Sequence, residues 1–118
     1  MESSQISASH PSEQDLSELR GMAEELNWDL DSVIRLVNRL REVWWHAEIG
    51  VTFRFRLLDD VWELCLQTLG WDGNERVIET LRGTLFWVRF WQVHKRGGLY
   101  LFSNIYSEQE REQWNQAR

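Results

Sequence analysis

The 118 residues suffice for one modest core but not two, and eight Trp, five Phe and two Tyr exclude a disordered tether. The formal net charge of −6 is uneven: residues 1–31 hold eight acids and one base, net −7, whereas residues 32–118 hold eleven acids and twelve bases, net +1, which excludes a uniformly basic nucleic-acid binder. The one cysteine, Cys65, excludes an internal disulfide framework and suits a reducing compartment, and with no apolar run near ~20 residues and no signal peptide, neither a membrane span nor secretion is expected.

Residues 1–11, MESSQISASHP, are Ser-rich and polar and read as a disordered acidic tail. In SEQDLSELRGMAEEL, Ser12 and Asp15 make a capping-box start, and Leu16, Leu19, Met22, Ala23 and Leu26 fall at helical spacing. Gly21 weakens that short helix by about 1 kcal/mol relative to Ala. DLDSVIRLVNRLREVWWHAEIG predicts a stronger helix, capped by Asp29 or Asp31, with one stripe of Val33, Leu36, Val37, Leu40, Val43, Trp44 and Ala47. VTFRF alternates like a strand, but between two helical patterns it reads as a turn with two inserted rings. RLLDDVWELCLQTLG then predicts a second bundle helix with Leu57, Leu58, Val61, Cys65, Thr68 and Leu69 facing in. After the turn WDGN, Asp72 or Asn74 caps the longest helix, from about Glu75 to Lys95, stopped by Gly97-Gly98. Within residues 99–118, Ser107 and Glu110 can cap a last helical turn or two. The fold expected is all-α: a small three-helix bundle over residues 12–98 with an additional short N-terminal helix, a flexible tail at 1–11, and a partly helical tail at 99–118.

Catalysis finds no foothold. The three histidines and Cys65 lack metal-ligand spacing, and Cys65 reads as a small buried hydrophobe. The pairs Asp59-Asp60 and Glu24-Glu25 diverge on a helix, so neither makes an acid/base couple. There is no glycine-rich phosphate loop and no Ser/His/Asp order. The chain is expected not to be an enzyme and to carry no cofactor.

On the 75–95 helix, Val77, Val88, Leu81, Leu85, Ile78 and Trp91 fall within an arc of about 140°. Val93, Phe86, Phe90 and Trp87 fall on a second arc, and a helix apolar on two sides either is central in its bundle or buries one side in a partner. Because each member of a three-helix bundle keeps an outward face, the second arc reads as a docking surface rich in the aromatics and Arg that dominate binding hot spots. The basic residues are twelve Arg and one Lys, Lys95; that skew reads either as compositional drift or as a scarcity of ubiquitin acceptors.

Order and spacing over residues 36–96 resemble the lentiviral Vpr/Vpx accessory proteins of human and simian immunodeficiency viruses. The resemblance is carried by VNRLREVWWHAEIGVTFRFRLLDDVWELC, by the Trp-containing turn GWDGNE and by ERVIETLRGTLFWVRFWQVHKRGG. It implies an adaptor that docks on the substrate receptor of a cullin-4 RING ubiquitin ligase and recruits host proteins for degradation. Effects on G2 arrest, a place in the host nucleus and virion, and viral Gag as a further partner are implied with it. Carried over by position, Trp44, Trp45 and Glu48 match the region that meets the ligase receptor, and Trp71 matches the turn Trp used for target capture. Phe86, Trp87, Phe90 and Trp91 lie on the third-helix surface, and His94, Lys95 and Arg96 match its basic exit. The family's zinc ligands depart here to Thr52 and to Val88 or Arg89, with only His94 kept, so no zinc is expected. On the residues alone, Trp71 also reads as a turn plug and the basic trio as a solvated helix end. Two other functions stay open: nucleic-acid association through the Arg/aromatic runs FRFR and WVRFWQVHKR, and a homo-oligomer assembled through the second arc.

Overall fold

Residues 61–67, VWELCLQ, place Trp62, Leu64 and Leu66 at strict two-residue intervals and bury all three. That alternation, not the helical spacing expected for this segment, decides the structure, because two neighbouring strands are there to pair with it. The computed structural model describes residues 10–116. In chain order these form α1 (Glu13–Ala23), α2 (Leu30–Val43), the single turn α3 (Ala47–Gly50), β1 (Val51–Arg56), β2 (Val61–Gln67), α4 (Asp72–Leu81), α5 (Leu85–Phe90), β3 (Trp91–Lys95), β4 (Leu99–Ser103) and α6 (Glu108–Gln116). The strands make one antiparallel sheet in the order β1-β2-β4-β3. The fold is therefore mixed α and β, and the all-α helical bundle expected from periodicity is wrong.

Three segments account for the difference. VTFRF, read as a turn, is β1. The expected second bundle helix is a turn at 57–60 followed by β2, so Leu57 and Leu58 point outward and Cys65 sits half-buried on the face opposite the main core. The expected long helix ends at Leu81. Gly83 takes a left-handed φ of 85°, Thr84 accepts from the Trp87 N–H to cap α5, and after Phe90 the chain turns into β3. Gly97 and Gly98 are not a helix stop: their φ values of 85° and 80° close the β3–β4 hairpin. Residues 99–103, read as tail, pair with both β2 and β3.

The N-terminal caps hold, but the two helices are shorter than expected: α1 ends at Ala23, leaving Leu26 76% exposed, and α2 ends at Val43, so that Ala47 falls in α3. Ser12 and Asp15 form the capping box and Asp29 caps α2 through the Ser32 N–H at 2.8 Å. Ser107 accepts from the Glu110 N–H at the start of α6. The acidic segment is folded onto its neighbours: Arg39 of α2 meets Asp15 at 2.7 Å and Glu18 at 2.6 Å, and Arg76 of α4 meets Glu13 at 2.7 Å. Of the expected 1–11 tail, residues 1–9 lie outside the described residues; Pro11 is buried and His10 is exposed beside Trp71.

One sheet face carries the core. The cross-strand rows Phe53–Leu64–Phe102 and Val51–Leu66–Tyr100 face α5 and the cluster built from α1, α2 and α4. The rows Arg54–Glu63–Ser103 and Thr52–Cys65–Leu101 face the other way. Over the first of these lies α6: Trp114 is buried beneath the Arg54 and Arg56 guanidinium groups, 4.7 and 5.0 Å from its ring, and Arg111 pairs with Glu63.

Candidate protein-interaction surface

The aromatic residues expected to dock a partner are divided by the fold. Phe86 and Phe90 are core, with Phe86 fully enclosed. Trp28, from the loop between α1 and α2, covers them at 5.3 and 5.9 Å between ring centroids, Trp62 meets them from β2, and Phe102 closes on Phe86 from β4. The spare face inferred for a continuous helix does not form around these rings. Trp87 is half-buried against Tyr100 and Phe102, with the Arg82 guanidinium 4.9 Å above it. Trp91 stays 44% exposed at the sheet edge, its ring nearly parallel to Trp87.

The residues at the start of β1 divide in the same way. Trp44 is buried and its Nε1–H donates to the Gln67 carbonyl at 3.0 Å. It lies so close to Gly50 that a side chain there would strike the indole and the Gln67 carbonyl. Trp45 is half-buried and stacks on Trp71 with centroids 4.4 Å apart. Trp71 itself precedes α4 and shares a shallow pocket of about 200 Å³ with His10, Gly70 and Asp72. Glu48 is exposed, and its hydrogen bond with His46 at 3.1 Å holds its carboxyl below the usual carboxylate range. Asn74, expected as a helix cap, is instead a buried clamp. Its Oδ1 accepts from the Trp45 N–H, and its Nδ2 donates to the carbonyls of Trp45 and Thr68. His94 stacks on Tyr100 at 4.1 Å on one side of β3, while Lys95 and Arg96 are exposed at its end.

Chemistry does not gather at these positions. Burial and the nearby Glu63 push the Cys65 thiol above its ordinary value, which keeps it protonated and a poor nucleophile. Among the described residues, no three His, Cys, Asp or Glu side chains lie close enough together to hold a metal ion. The family's zinc positions do not fit one either: Thr52 lies on one edge strand of the sheet and His94 on the other.

The sequence reading missed the surface that the fold leaves most exposed. In the β1–β2 turn Leu57 is 76% and Leu58 94% exposed, and Phe55 on the adjoining strand is 43% exposed. Turn residues are ordinarily polar, so two successive leucines in solvent depart from the local rule. The turn is also firmly built. Asp60 adopts a left-handed φ of 58°, Arg56 and Asp59 pair at 2.8 Å, and the Asn104 Nδ2–H donates to the Asp60 carbonyl at 2.9 Å. The available signal was Asp59-Asp60 between two alternating runs, which marks a hairpin turn and so moves the preceding leucines out of the core. Among the described residues, no helix is long and apolar enough to cross a membrane. No protein-family model, no curated protein and no solved structure matches this chain.

Proposed function

We propose that this chain is a non-catalytic protein-recognition module that docks a partner on the tip of its β1–β2 hairpin. The observation that carries the reading is the pair Leu57 and Leu58, exposed on a rigidly held turn beside Phe55. Burying two such leucines contributes roughly 1.5–3 kcal/mol each relative to solvent, enough for the anchor of a modest interface. Asp59 and Asp60 at the same tip disfavour insertion into a lipid surface and favour a protein pocket with a basic rim.

The narrower functions implied by the lentiviral resemblance are not carried into this proposal. Ligase docking through Trp44, Trp45 and Glu48, host-target capture through Trp71, Gag contact and the nuclear and virion setting rest on the resemblance alone, and the third-helix segment that carried part of it is divided here among α4, α5 and β3. Nucleic-acid stacking through FRFR has little support, since Arg54 and Arg56 are engaged by Glu63, Asp59 and the Trp114 ring.

The test is a double variant, Leu57→Ser with Leu58→Ser, compared with the unaltered chain in quantitative affinity capture from cell extract. Partners retained by the unaltered chain should be lost from the variant while circular dichroism and the melting temperature stay the same. A partner set that survives the double substitution would sink the reading.

A further inference from the structure

The sheet has two open edges, β1 and β3, and each leaves a row of backbone N–H and C=O groups facing outward. Their side chains differ. The cations of β1 are spent within the chain: Arg54 reaches Glu63 at 2.6 Å and Arg56 reaches Asp59 at 2.8 Å. Those of β3 are not. Among the described residues Lys95 and Arg96 form no ion pair, and Arg89 at the end of α5 lies 5.2 Å over the Phe90 ring with no carboxylate partner. Three uncompensated positive charges thus flank a five-residue strand of which four residues are exposed. The side chains able to pack on an added strand are Trp91 and Val93.

Charge chooses among the occupants. A second copy pairing antiparallel through the same edge would bring the Lys95–Arg96 end of each strand toward the Arg89 end of the other, so like charges would gather at both ends of the pair. The irregularity between Trp91 and Val93 further hinders a symmetric match. We propose that the β3 edge takes up an extended acidic segment of a partner protein by strand addition. Main-chain hydrogen bonds would supply affinity, and carboxylates meeting Arg89, Lys95 and Arg96 would set orientation. This surface is separate from the hairpin tip, so it stands or falls independently of the function proposed above.

A display library of random linear peptides, panned against the full chain, tests it. The recovered peptides should alternate Asp or Glu with β-branched or aromatic residues, and they should shift the backbone amide resonances of residues 91–96. Methylating one of the two sets of alternate backbone nitrogens of such a peptide, the set that faces β3, should abolish binding, because side chains remain but the ladder cannot form, whereas methylating the other set should leave binding in place. Lys95→Glu with Arg96→Glu should weaken binding about tenfold or more without lowering the melting temperature. The Leu57→Ser, Leu58→Ser variant should bind these peptides unchanged. Recovery of neutral or basic peptides, shifts confined to residues 55–60, binding that survives methylation at each of the two sets of alternate nitrogens in turn, or no enrichment at all would overturn the proposal. Equal binding of a single-stranded oligonucleotide at this edge would also overturn it, since the edge would then be reading polyanion charge rather than an extended peptide.

Discussion

LFWVRF at residues 85–90 and the Leu57-Leu58 pair are both greasy, yet they end in opposite surroundings. The first encloses Phe86 and Phe90 among Trp28, Trp62 and Phe102, while the second holds the most exposed apolar side chain of the described residues. Hydrophobicity alone would have assigned the larger rings to a partner and the leucines to the core. What decides is where the chain reverses. Gly83 and Thr84 turn α5 so that its aromatic side meets the sheet, whereas the β1–β2 reversal at residues 57–60 leaves its leucines beyond the last cross-strand pair, Arg56–Val61. An aromatic surplus in a sequence is therefore weak evidence of a docking face until the reversals are placed.

The sharpest way to break this comparison is Phe86→Ala. A fully enclosed ring packed on four others should cost about 3–5 kcal/mol when truncated. For a domain of this size that is a large share of total stability, so urea unfolding should show a strongly lowered midpoint or no cooperative transition. An unfolding free energy within about 1 kcal/mol of the unaltered chain would mean that Phe86 is not core, and the docking role first read for it would return.

The contrast also marks how far the sequence could be read. Helices α1 and α2 were legible because side-chain caps, Ser12 with Asp15 and then Asp29, coincide with an apolar stripe, and both signals are local. The sheet was not legible, because a strand needs a partner elsewhere in the chain. VWELCLQ offers Val61 and Cys65 at helical spacing and Trp62, Leu64 and Leu66 at strand spacing, and only pairing with β1 and β4 selects the second. Gly97-Gly98 between two alternating runs was a readable hairpin signal, but the long apolar stripe running into it suggested a helix end. Of the candidate site, Trp91, Lys95 and Arg96 do reach the surface, while Phe86, Phe90 and Trp44 went to the core for the same reason: each faces a strand that the sequence reading had not placed.

A smaller effect separates two carboxylates, Glu63 between two arginines and Glu48 beside His46. Burial pushes the pKa of Glu63 up, but hydrogen bonds from Arg54 and Arg111 outweigh it and hold the carboxyl below its usual range. A carboxylate depressed in the folded state contributes stability that is present above its unfolded pKa, near 4.5, and is lost as pH falls through the lower folded value. Glu63→Gln should therefore destabilise by about 1–3 kcal/mol at neutral pH and flatten the acid limb of a pH–stability curve below that point. Glu48→Gln, which removes an exposed hydrogen-bond partner of His46, should leave the neutral-pH melting temperature unchanged. Identical acid limbs for the Glu63 variant and the unaltered chain would show that the Arg54–Glu63–Arg111 link does not tie α6 to the sheet.

The smallest expected change in stability belongs to the hairpin leucines. Leu57 and Leu58 are already in solvent, so replacing both by Ser removes little buried area and leaves no cavity. Unfolding free energy should stay within about 0.5 kcal/mol, as for substitutions remote from packed groups. The turn is held by Asp59, Asp60 and Asn104 rather than by the leucines, so its amide resonances near residues 59–61 should keep their dispersion. Leucines whose exposure is neutral to stability are free to be covered by a partner without cost to the fold, which is what the proposed docking tip requires. A loss of 2 kcal/mol or more, roughly what burying one leucine is worth, would instead place them in a core contact and remove the ground for the hairpin as a docking tip.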